Sequence, residues 1–116
     1  RYVGDLKNAV ENYNKAILIL PSYADAYNNL GIVYFEMNEF DKAIISFKQA
    51  IKIDPALAET YNNLGLVYNA VEQYDEAVKC FEKAIKIKPD FDDAYINLKE
   101  SKNVLHDMQK KKSLKK

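Results

Sequence analysis

Residues 24–57 read ADAYNNLGIVYFEMNEFDKAIISFKQAIKIDPAL, and residues 58–91 say the same thing again as AETYNNLGLVYNAVEQYDEAVKCFEKAIKIKPDF. Aligned without a gap, the two 34-residue blocks share 16 identities by direct count. Repetition at a fixed period decides architecture before any local signal does. In the first block Ala26, Tyr27, Leu30, Val33, Tyr34 and Met37 recur at steps of three and four, which predicts one helix face. A break is expected at Asn38-Glu39. A second helical pattern follows in Phe40, Ala43, Ile44, Phe47, Ala50, Ile51 and Ile53. Asp54-Pro55 ends it, because proline cannot continue a helix and restrains the residue before it. Two short antiparallel helices cannot bury both their faces alone, so the pairs must stack.

Gly31 and Gly65 fall inside predicted helices, where glycine costs about 1 kcal/mol relative to alanine. That cost implies a partner helix passing too close for a Cβ. Ala43 with Ala50, and Ala77 with Ala84, lie seven apart and form a small-residue stripe, with aromatic residues supplying the bulk between.

The run Tyr27…Leu30-Gly31…Tyr34…Ala43…Phe47…Ala50…Pro55, repeated as Tyr61…Leu64-Gly65…Tyr68…Ala77…Phe81…Ala84…Pro89, resembles the tetratricopeptide repeat signature. The resemblance implies an all-α, right-handed α-solenoid of antiparallel helix pairs, with about two complete repeats and two half repeats. It divides the chain into residues 1–20, the second helix of a truncated repeat; 21–57 and 58–91, the complete repeats; 92–109, a capping helix; and 110–116, a basic tail. All belong to one domain. One departure lies in the turn between paired helices, where the family usually has glycine. Asn38 tolerates a left-handed conformation there and Glu72 does not favour it, so a strained or different turn is expected at Glu72.

The two ends depart from the repeat. Gly4-Asp5-Leu6 occupies the place of the turn, so residues 7–20 are expected to be a second-type helix whose partner is nearly all missing. Val10, Tyr13 and Ile17 stand where a polar cap would be normal. The expectation is a fragment of a longer array whose bare end pairs with another copy. At the other end Lys99 replaces the glycine and Lys102 the tyrosine. Ala94, Leu98, Ser101, Leu105 and Met108 form one narrow stripe, as a capping helix should. Ser22 with Asp25, and Asp90 with Asp93, have the form of helix-capping pairs.

The formal net charge of zero conceals a division. Residues 1–109 carry 12 basic and 17 acidic side chains, a net −5, and the tail KKKSLKK carries five lysines and no acid. The tail reads as a solvated helix end in preference to a nucleic-acid patch, because no arginine or aromatic residue accompanies the lysines. No apolar run approaches the ~20 residues of a membrane span. The one cysteine, Cys80, reads as a packing residue, and His106 as surface polar. A reducing cytoplasmic or nuclear setting fits that cysteine usage. No paired His and acid, metal-spaced cluster, phosphate loop or nucleophile elbow is present, so the residues point to no catalysis, cofactor, metal or small-molecule substrate.

The resemblance implies that the first helix of each pair lines a concave groove. The groove candidates are Asn28, Asn29, Ile32 and Phe35; Asn62, Asn63, Leu66 and Asn69; and Asn97 and Asn103. Asn29, Asn63 and Asn97 recur every 34 residues. Stacking would turn them into a ladder of amides able to bracket a peptide backbone, or equally into bonds that hold neighbouring helices together. The ladder and the closing segment KPDFDDAYINL resemble those of O-GlcNAc transferases. That implies either a protein-recognition module or the substrate-recruiting part of a larger enzyme; self-association of the repeat is the other alternative. The carboxylate clamp of some family members needs basic groove residues. Asn28, Asn62, Ile32 and Leu66 stand at those places here, so binding to acidic EEVD-type tails is expected to be weak or absent.

Overall fold

The computed structural model describes residues 3–115. Six helices follow in order: α1 (Val3–Ile19), α2 (Ala24–Glu36), α3 (Phe40–Ile53), α4 (Ala58–Ala70), α5 (Tyr74–Ile87) and α6 (Asp92–Leu114). Each helix packs on the next in sequence. In addition α2 approaches α4, and α4 approaches α6, whereas α1, α3 and α5 do not approach one another. The helices therefore form two rows, an inner one of α2, α4 and α6 and an outer one of α1, α3 and α5. The molecule is elongated, 55 × 31 × 20 Å.

The small-residue reading holds in detail. Ala43, Ala50, Ala77 and Ala84 have no exposed surface. A Cβ built on Gly31 would lie 2.5 Å from Phe47 Cε1, and one on Gly65 2.5 Å from Phe81 Cε1. The close neighbour is the ring of the paired helix, and both rings are fully buried. Asp54 and Lys88, each before a proline, end α3 and α5 in extended backbone.

Asn38 and Glu72 both adopt positive φ, at 61° and 63°. Glu39 N donates to Tyr34 O and Asn38 N to Phe35 O; Gln73 N donates to Tyr68 O and Glu72 N to Asn69 O. Both turns are thus the same left-handed helix stop with paired 6→1 and 5→2 bonds. The departure at Glu72 is met by strain in the same turn type.

Four expectations are corrected. Gly4 lies inside α1, its surroundings are open, and no glycine among the described residues has positive φ. Arg1 and Tyr2 lie outside the described residues. Val10, Tyr13 and Ile17 are half-buried against α2, and the exposed apolar residues of this end are Val3, Leu18, Ile19 and Leu20. The N-caps of α2 and α6 are Tyr23 and Phe91, without a side-chain cap bond, so Ser22 and Asp90 fall one residue too early to cap. The solvated helix end read for Lys110–Lys112 is present, but the boundary placed before it is not: α6 runs on without a break to Leu114. Its inward stripe fades along the way, from Ala94 and Ser101, which are buried, through half-buried Leu105 to exposed Met108.

Candidate binding groove

The inner row is tied together by side chains. Asn28 Oδ1 accepts from Thr60 Oγ1 at 2.9 Å and from Asn63 Nδ2 at 3.3 Å. One repeat later Asn62 Oδ1 accepts from Asn97 Nδ2 at 3.0 Å. Ser101 Oγ lies 2.8 Å from Asn69 Oδ1 and 3.1 Å from the Asn97 carbonyl oxygen, and shares its one proton between them. Every buried side-chain nitrogen and oxygen among the described residues has a partner, as burial in a low-dielectric stack requires.

These bonds sort the candidate residues. Asn28 and Asn62 serve the stack, and Asn62 is almost wholly buried. Asn63 and Asn97 each use an amide hydrogen in it; each Oδ1 accepts nothing within the described protein. Asn29 makes no side-chain hydrogen bond among the described residues, because the helix before α2 is outer-row α1. Asn69 is tied to α6, and Asn103 is exposed beyond it. Sequence reasoning missed Thr60 and Ser101. Neither hydroxyl is repeated at 34 residues: their counterparts are Ala26 with Ala94, and Val33 with Val67.

Ile32, Phe35, Asn63 and Leu66 come together around an apolar cleft of about 70 Å3, floored by Phe47. Asn63 stands at its edge as the one polar lining residue. Along the same stripe the exposed residues Asp25, Glu36, Glu59, Asp93 and Glu100 lie three or four positions from Asn29, Ile32, Asn63 and Asn97. No lysine or arginine occupies a stripe position. Lys88 reaches Glu59 Oε1 at 3.6 Å, and its Nζ lies 5.0 Å from the Phe91 ring centre. Both ends of the Lys88–Glu59 pair are exposed, so it is worth little.

Cys80 is buried on the outer row. Burial, reinforced by the Glu76 carboxylate and opposed by Lys48, pushes its thiol up to about 12. A thiol so raised is a poor nucleophile at neutral pH. Among the described residues no helix is long and apolar enough to cross a membrane, and no three His, Cys, Asp or Glu side chains gather as a metal site.

Two rows of antiparallel helix pairs in a 34-residue period define an all-α solenoid of helix–turn–helix repeats. The chain belongs to the tetratricopeptide repeat family: the family model "Tetratricopeptide repeat" matches residues 24–57 and 58–91, and the model "TPR repeat" matches residues 1–38. Among solved structures it is similar to the first TPR of Spaghetti (RPAP3) bound to the HSP90 peptide SRMEEVD, at 21% identity and a TM-score of 0.86, over 89% of this chain and 82% of that one. It is also similar to the Arabidopsis OM64 TPR domain, at 24% identity and a TM-score of 0.83, over 86% and 83%. No curated protein sequence gives a significant match.

Proposed function

We propose that this chain is a protein-recognition module that holds an extended peptide segment along the groove of α2, α4 and α6. Asn29, Asn63 and Asn97 would meet the peptide backbone. The observation that carries the reading is the cleft of Ile32, Phe35, Leu66 and Phe47 with Asn63 at its edge. A place for an apolar side chain beside an amide able to hold the main chain is what an extended ligand needs. The exposed carboxylates Asp25, Glu59, Asp93 and Glu100 favour a basic segment.

Asn29 gives the cleanest test, because its side chain makes no hydrogen bond among the described residues. A peptide selected from a random library should bind the Asn29→Ala protein about threefold to tenfold more weakly by fluorescence anisotropy, the effect of one hydrogen bond. The melting temperature should not change. If no library peptide binds, or if binding is indifferent to both Asn29→Ala and Ile32→Asp, the groove is not the site.

The RPAP3 repeat is bound to an acidic peptide. Here Asn28 and Asn62 are held in the stack and the stripe is acidic, so SRMEEVD should bind weakly or not at all. A titration giving a dissociation constant tighter than about 10 µM would contradict the electrostatic part of the proposal.

A further inference from the structure

The best-matched occupant of the groove is present in the same chain. The cleft asks for one aliphatic side chain, and the stripe around it asks for positive charge. The segment Lys110-Lys111-Lys112-Ser113-Leu114-Lys115-Lys116 offers five lysines around a single aliphatic residue. Leu114 is 86% exposed, the most exposed large apolar side chain described. Residues 106–115 touch nothing that buries them, so nothing but helix propensity holds the end of α6, and a run of lysines lowers that further. The segment can fray at little cost. It cannot serve its own groove as folded, since it continues the same helix, about 35 Å long, whose first turns form the far side of that groove.

We infer that the groove of one copy takes the Lys110–Lys116 segment of a second copy, with Leu114 in the cleft between Ile32, Phe35 and Leu66 and the lysines beside Asp25, Glu59 and Asp93. This rests on the groove reading above. The contact is heterologous, joining the tail of one molecule to the groove of the next, so it builds open chains unless the rotation closes a ring. A seven-residue segment covers far less than the roughly 1,600 Å2 of a standard interface. The association is therefore weak, with a dissociation constant on the order of 100 µM.

Two measurements test it on the full chain. In sedimentation velocity the average mass should rise above the monomer between about 20 µM and about 1 mM protein in dilute salt, and return to monomer near 0.5 M salt, where exposed charges are screened. Deleting Lys110–Lys116, of which residues 110–115 are all exposed, should leave a monomer throughout. A labelled peptide of residues 108–116 should then bind that shortened protein at least tenfold more tightly than the same peptide carrying Leu114→Ser. Glu59→Lys with Asp93→Lys should abolish the binding. The inference is overturned by a shortened protein that associates like the parent, which would place the contact at the exposed Val3, Leu18, Ile19 and Leu20. It is also overturned by a full chain that stays monomeric at about 1 mM, or by peptide binding indifferent to Leu114. A monomeric protein that still binds library peptides through Asn29 would sink this inference and leave the groove standing.

Discussion

Replacing Gly31 with alanine probes the closest approach in the stack. The new Cβ would lie 2.5 Å from Phe47 Cε1, 2.6 Å from Cδ1 and 2.8 Å from Cζ. Ordinary carbon contacts lie at about 3.5–4.0 Å, so the ring must retreat by about 1 Å. Phe47 is 1% exposed and belongs to the core of Ala43, Leu64, Val67 and Tyr68, and the room beside it is the small cleft it floors. Overpacking a closed core costs about 1–3 kcal/mol, and a rigid, enclosed ring puts this case at the upper end. Against that, alanine in a helix gains about 1 kcal/mol over glycine. The packing term wins, leaving a net loss of about 2 kcal/mol, or a fall of about 8 °C in melting temperature for a chain this size. Gly4→Ala is the matched control. It too is helical, but nothing lies within 4 Å of its Cβ position, so it should be neutral or raise stability by up to about 0.5 kcal/mol. Urea unfolding followed by far-UV circular dichroism measures both. Trimming the ring should relieve the clash, so Gly31→Ala with Phe47→Leu should be at least about 1 kcal/mol more stable than the sum of the single changes. A Gly31→Ala protein as stable as the parent, or a strictly additive cycle, would refute the reasoning.

Glu72→Gly should stabilise by about 0.5–1 kcal/mol, because it removes a side chain from a φ of 63°; a loss of stability in the same urea experiment would show that the turn carries no strain. Asn28→Ala should cost about 1–3 kcal/mol, since it leaves the buried Thr60 hydroxyl and the Asn63 amide without their acceptor. Asn62→Ala should cost less, because it strands only the half-buried Asn97 amide, and equal or reversed losses would show that the bonds do not govern the stack. Cys80 should stay unmodified by iodoacetamide at neutral pH until urea unfolds the chain. Its folded value is about 12 against 9.0 for the free thiol. Below pH 9 both states keep the proton; from pH 9 to about 12 the unfolded chain gives it up first, so stability should fall through that window in the parent and less in Cys80→Ala.

The repeat was legible because its information lies in side-chain size at fixed spacing. Gly31 paired with Phe47, and Gly65 with Phe81, could be read as a close approach before any coordinates. The ends were harder because the period stops there. Gly4 is the right residue for a turn, but it lies inside α1 in open surroundings and without positive φ, so residue type alone misleads there. The helix starts were misplaced by one residue for a different reason. Tyr23, Leu57 and Phe91 take the N-cap places without capping bonds, so chain direction after each proline sets the start, and polar residues next to it mislead. Within the groove, Asn28 and Asn29 are neighbours in sequence and only about 100° apart on the helix. Period alone assigns both to the same face. What separates them is the donor opposite: Asn63 reaches Asn28, and Asn97 reaches Asn62.

The two readings of the asparagines, stack and ligand, converge on the same side chains. Asn63 is held by Asn28, and Asn97 by Asn62, each through one amide hydrogen. That bond fixes the side-chain rotamer and with it the direction of the second N–H and of the carbonyl oxygen. A side chain already ordered by its neighbour loses no rotamer freedom when a peptide arrives, a saving of about 0.5–1.5 kcal/mol for a flexible residue. In the proposed groove Asn29 lacks this support and Asn63 and Asn97 have it. Substituting Asn29 would therefore remove one ligand bond, whereas substituting Asn28 would leave Asn63 in place but free to turn, and substituting Asn62 would do the same to Asn97. Loss of peptide affinity in Asn62→Ala, a residue that is itself buried, would be the sign that the stack orients the groove.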